Sequence, residues 1–169
     1  MTSSQRLISA FLLAAALAHL VSAGDQRLDV SQIIGKTEAA AILGEPIKDP
    51  SPRSGTGADG YYSKCNYYSV RGGRSLVIRF QLPGPNAINP EKELELLVAA
   101  NGSGKKISGL GDAAQTSVES SDAGLASRIL MLYVVKGNAF LTVGLGGFTD
   151  DSGALERAKA VAQELLAHL

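Results

Sequence analysis

Tyr61-Tyr62-Ser63-Lys64-Cys65-Asn66-Tyr67-Tyr68-Ser69-Val70, then Arg71-Gly72-Gly73, then Arg74-Ser75-Leu76-Val77-Ile78-Arg79-Phe80-Gln81-Leu82 reads as two extended runs around a glycine turn. The second run alternates, with Leu76, Ile78, Phe80 and Leu82 on one side and Ser75, Val77, Arg79 and Gln81 on the other. Period two with one apolar side is the pattern of a half-buried strand, and Gly72-Gly73 supplies the backbone freedom a tight hairpin needs. The stretch therefore predicts an antiparallel hairpin with one face on a core.

Downstream, Ile129 to Val135 and Phe140 to Leu145 flank Lys136-Gly137-Asn138 and predict a second hairpin. Its runs are almost continuously apolar, which places it more centrally in the sheet than the first. Three helical patterns surround the hairpins. Thr37 is a candidate N-cap for a short helix over Glu38 to Leu43, stopped by Gly44 and Pro46. Asn89, Pro90 and Glu91 open a second helix carrying Leu94, Leu97 and Val98, which Asn101-Gly102 ends. Thr149-Asp150-Asp151-Ser152 offers caps for a closing helix over about 153–168, with Leu155, Ala158, Val161, Ala162, Leu165 and Leu166 at helical spacing.

Between these elements, Asp49 to Gly60 is rich in proline and glycine and reads as a loop. Gly102 to Ser127 is polar, with a short strand around Ala114 to Val118. The order helix, hairpin, helix, hairpin, helix predicts an α+β domain, an antiparallel sheet of two hairpins with helices on one face. The same order is compatible with a degenerate helix-strand-strand repeat, although residue identity between the halves is poor.

The N-terminus constrains the compartment. Arg6 precedes an apolar run from Leu7 to Leu20, and Val21-Ser22-Ala23 supplies a cleavage-type ending, so residues 1–23 read as a signal peptide. The run is shorter than the roughly 20 residues a spanning helix needs. Residues 24–169 then form a single exported domain, secreted or periplasmic, with no membrane span after cleavage. No cysteine lies in the signal segment to accept a lipid anchor.

Composition closes off several chemistries. The formal net charge is +0 and no block of like charge appears, so nothing in the balance points to nucleic acid. Cys65 is the only cysteine, which excludes an intramolecular disulfide and leaves either a buried thiol or a bridge to another chain. Of the two histidines, His19 is in the signal segment and His168 stands beside the C-terminus, so neither a histidine-based triad nor a zinc site is expected. No cofactor or other metal is expected either. Asp150-Asp151 and Asp59 lack the regularly spaced oxygen ligands of a calcium loop. Ser103-Gly104-Lys105-Lys106 has serine-lysine spacing, but the serine follows a helix end instead of opening a helix. Asn101-Gly102-Ser103 fits a glycosylation acceptor in a eukaryotic host.

One segment stands out. Tyr61 to Tyr68 gathers four of the five tyrosines, and Arg71, Arg74 and Arg79 follow with no acidic residue between Asp59 and Glu91. Aromatic and cationic side chains on a rigid sheet are a common binding surface, and Tyr62, Tyr67, Arg74 and Arg79 are the candidate ligand or partner residues. The alternative is that alternate tyrosines pack on the core and the others cover an edge, with the arginines keeping it soluble.

Val30-Ser31-Gln32-Ile33-Ile34-Gly35-Lys36-Thr37-Glu38-Ala39-Ala40-Ala41-Ile42-Leu43-Gly44-Glu45-Pro46-Ile47 resembles the opening motif of a group of small exported bacterial α+β domains of unknown function, some lipoprotein- or sensor-like. The likeness continues through Cys65-Asn66-Tyr67, Gly109-Leu110-Gly111-Asp112-Ala113-Ala114, the second hairpin and the closing helix. The resemblance implies an extracytoplasmic binding module and no catalytic residues. It also implies that a bridge typical of the group is missing, because Ser31 stands where many relatives place a cysteine able to pair with the equivalent of Cys65. The expected function is thus a soluble, exported, non-enzymatic domain binding a small ligand or an envelope protein. The alternatives are a hydrolase with an unusual Ser/Asp/Lys site and a structural envelope subunit that pairs through an exposed strand.

Overall fold

The computed structural model describes residues 27–101, 104–120 and 128–169. The signal segment, Gly24-Asp25 and Ser103 lie outside the described residues. The chain lays down helices α1 (Val30–Ile33) and α2 (Lys36–Leu43), then strands β1 (Ser51–Gly57), β2 (Gly60–Tyr68) and β3 (Ser75–Pro83). Helix α3 (Pro90–Asn101) leads to strands β4 (Lys105–Lys106), β5 (Ala113–Ser120), β6 (Arg128–Lys136) and β7 (Ala139–Gly146), and α4 (Asp151–Leu166) follows. All seven strands form one sheet in the order β1-β2-β3-β7-β6-β5-β4, and every neighbouring pair is antiparallel.

The mixed α+β class and both hairpins match the sequence reading, but the sheet is larger than two hairpins. Asp49 to Gly60, expected to be a loop, contains β1, which pairs with β2 from Ser51↔Asn66 to Gly57↔Gly60. Its composition hides it, because an edge strand needs only backbone partners on one side. Its side chains are almost all exposed, so no apolar periodicity marks it. Pro52 is tolerated there because one side of an edge strand donates to nothing. The strand foreseen around Ala114 to Val118 is the middle of β5.

Helices on one face are the second correction. Along β6, Leu130, Leu132 and Val134 join the large core with α1, α2 and α4, whereas Tyr133 and Val135 pack with Leu94 of α3 and Phe140 of β7. Successive strand residues point to opposite faces, so α3 lies across the sheet from the other three helices. The physical reason is the sequence of β6 and β7: strands apolar at nearly every position bury nothing unless both faces are covered. The helix-strand-strand repeat is not reproduced. Each half of the sheet holds a three-stranded meander, and α2 and α3, which precede the two meanders, lie on opposite faces.

Local signals fix the helix ends. Asp150 caps α4 by accepting from the Ser152 and Gly153 amides, both at 3.0 Å. Asn89 accepts from the Glu91 amide at 2.8 Å at the start of α3. Gly44 ends α2 in the left-handed conformation with φ of 70°. The N-cap of α2 is Gly35 and not Thr37, and no side chain caps it. Among the described residues, no helix is long and apolar enough to cross a membrane.

Candidate ligand-binding face

Helix α3 covers only the β5-β6-β7 end of its face. Over β1, β2 and β3 that face carries no helix among the described residues, and this open half is the candidate site. Strand parity fills it: Arg53 and Gly55 from β1, Tyr62, Lys64, Asn66 and Tyr68 from β2, and Val77, Arg79 and Gln81 from β3 share it. Tyr62 and Tyr68 are 40% and 47% exposed, large values for aromatic rings in a strand that is otherwise half core. The Tyr62 phenol lies over β1, since a methyl group placed on Gly55 would meet its ring at 3.4 Å.

The pairing register sets three cations side by side. Arg53 stands opposite Lys64, and Lys64 stands opposite Arg79. Neighbouring strands are about 4.8 Å apart, so the three side chains rise from one row. None of the three makes an ion pair or side-chain hydrogen bond within the described structure. β1, β2, β3 and β7 contain no Asp or Glu at all. Like charges directly opposite each other destabilise a sheet by roughly 0.2–1 kcal/mol per pair. Beside the row, the Asn66 Oδ1 is buried without a hydrogen-bond partner.

The four residues singled out in the sequence separate into two groups. Tyr62 and Arg79 do share the open face, as diagonal neighbours in the β2-β3 ladder. Tyr67 does not: it is fully buried on the helical face and donates its hydroxyl to the Ile34 carbonyl. Six positions in a strand put Tyr62 and Tyr68 on one side and Tyr61 and Tyr67 on the other, so the cluster is half core and half surface. Arg74 is a brace. Its guanidinium donates to the Leu43 carbonyl at 2.7 Å, approaches Glu45 at 3.7 Å and sits 4.9 Å from the Phe148 ring centroid, tying the end of α2 to the β7-α4 connection. Arg53 and Lys64 were missed because each is isolated in sequence and only register brings them beside Arg79.

Beneath the open half, on its helical side, the chemistry is structural. Ser63 accepts from the Val30 amide at 3.1 Å, and Asp29 accepts from the Ser31 amide at 3.0 Å, which anchors α1 on β2. Cys65 is wholly buried in the same row, and burial pushes its thiol pKa up. Of the two alternatives for this cysteine, the fold shows the buried thiol and not one presented at the surface. Tyr67 is likewise pushed up by burial.

Neither a protein-family model nor a curated protein matches the chain. Function therefore rests on geometry. Lys105 and Lys106 form the short edge strand β4, and Ser103, the serine of the serine-lysine spacing, lies outside the described residues. His168 follows α4 on the surface, 3.9 Å from Glu164. Asp151 pairs with Arg128 at 2.6 Å, and Glu95 with Lys92 at 2.8 Å. Strand addition at β1 is impeded by Pro52 and Arg53, devices that blunt an edge.

Proposed function

We propose that the chain is an exported, secreted or periplasmic domain that binds a small ligand or an envelope protein, without catalysing a reaction, on the open half of its sheet. The observation that carries this reading is the face of β1-β2-β3 left uncovered by the described residues, where Tyr62 and Tyr68 flank cations with no partner among them. Exposed tyrosines on a strand offer amphipathic contact area at low entropic cost, because two dihedrals fix each ring. The export signal in residues 1–23 supplies the compartment, and residues 24–169 act as one domain. Nothing in this reading calls on a cofactor, a metal or nucleic acid.

The test is comparative capture from the native host's envelope fraction with processed protein and with a Tyr62→Ala, Arg79→Gln variant, followed by mass spectrometry of retained proteins and small molecules. A species that saturates the first and is lost from the second supports the open face. A species held equally by both places recognition elsewhere and overturns it. N-terminal sequencing of the native protein checks the export reading, with Gly24 as the expected first residue.

A further inference from the structure

Resting on that reading, we infer that the ligand of the open face is a polyuronate, an acidic polysaccharide in which successive sugars each carry a carboxylate. The first ground is the Arg53-Lys64-Arg79 row. Three adjacent strands contribute one cation each, none has an anionic partner among the described residues, and the strands that hold them contain no carboxylate. Such a row costs stability in the free protein and is neutralised by a ligand whose anions repeat along its length. Neighbouring strands are about 4.8 Å apart, so an acidic chain running across them passes all three cations within a few sugar units.

The second ground is what accompanies the charges. Tyr62 lies over Gly55 with one side of its ring available, a flat apolar surface of the kind that packs against the C–H face of a pyranose. On the same face the Asn66 Oδ1 is buried without a hydrogen-bond donor, an acceptor left unsatisfied beside the cation row. A polyuronate supplies carboxylate, hydroxyl and ring face in every unit.

The other polyanions fit less well. An extended acidic peptide gains most from a sheet edge, which here is blunted, and it offers no flat C–H ring face to Tyr62. Single-stranded nucleic acid stacks successive bases on neighbouring rings. Here Tyr62 and Tyr68 stand at opposite ends of β2, on the order of 20 Å apart, with the amide and the cation row between them.

The experiment is calorimetric titration of the processed protein with a defined oligogalacturonate, its methyl-esterified form, polyglutamate and a single-stranded oligonucleotide. Wild type is compared with an Arg53→Gln, Lys64→Gln, Arg79→Gln triple variant, with Tyr62→Ala and with the charge-keeping Lys64→Arg. Thermal melts verify that each variant is folded. The inference expects the oligogalacturonate to bind best and more weakly as salt rises. It expects a loss of about a hundredfold or more in the triple variant, about tenfold in Tyr62→Ala, and near-full retention in Lys64→Arg. Equal binding of the esterified glycan, or preference for polyglutamate or the oligonucleotide, overturns it. If no polyanion binds while the envelope capture still yields a species lost with Tyr62→Ala and Arg79→Gln, the polyuronate falls and the open face stands. If both are blank, both fall.

Discussion

The two halves of the sheet are built on the same antiparallel meander but are closed differently. β5, β6 and β7 are covered by α4 on one face and α3 on the other, so Tyr133, Val135 and Phe140 are buried opposite the main core. Among the described residues, β2 and β3 are covered by α1 and α2 on one face only, and β1 is an exposed edge. The contrast teaches that coverage, more than strand count, decides what a strand's second face can carry: apolar side chains in one half, cations and exposed tyrosines in the other.

The sharpest way to break the contrast is a pair of aromatic truncations on the same face. Phe140→Ala empties the space beneath α3 and should cost about 3–5 kcal/mol, whereas Tyr62→Ala removes a ring with no helix above it and should stay within about 0.5 kcal/mol. Chemical denaturation of both variants checks this; equal losses would mean that the open face is packed after all.

A second separation lies between the two sides of β2 and is read by pH. Burial raises the Cys65 pKa in the folded chain. An unfolded thiol titrates near about 8.5, so above that pH the unfolded state loses its proton first and binds fewer protons than the native state. Stability from this group is complete below about pH 8.5 and falls as pH rises toward the folded pKa. Tyr67 adds to the decline at higher pH with the same sign. Cys65→Ala should lower stability at neutral pH through lost packing, yet show a shallower fall between about pH 8.5 and 10 than wild type in denaturant titrations. Parallel slopes would contradict burial of the thiol.

The smallest effect sharpens the surface side of the comparison. Lys64→Gln removes the central charge of the Arg53-Lys64-Arg79 row and should stabilise the unliganded chain by about 0.2–1 kcal/mol, with the gain shrinking in high salt. A loss of stability in thermal melts would show that the row is compensated.

How much of this was legible in the sequence depends on whether a side chain's role is local. The alternation from Leu76 to Leu82 and the continuous runs of β6 and β7 reveal both hairpins, since periodicity is a property of neighbours in the chain. The same continuous runs held the clue to the second helical layer, because a strand apolar on both sides must be covered twice. β1 was hidden because an exposed edge strand is held by backbone hydrogen bonds and requires no particular side chains. The site was half legible: Tyr62 and Arg79 emerge from composition, whereas Tyr67, named beside them as a binding residue, has the odd offset from Tyr62 that sends it to the core, as the alternating reading of the tyrosines allowed. Arg53 and Lys64 join Arg79 only through pairing between strands, which no linear window contains.

The middle strand of the sheet is also its last. β7 bridges β3 and β6, yet it begins at Ala139, after every other strand has been laid down. A ribosome that has released the chain through Lys136 has delivered β1-β2-β3 and β4-β5-β6, whose inner edges, β3 and β6, have no partner. Until the final segment emerges, those edges are open to any passing strand. Completion is therefore an event of the chain's tail, in which one strand joins the halves and one helix seals them. Closure of the sheet has, in this topology, a built-in delay.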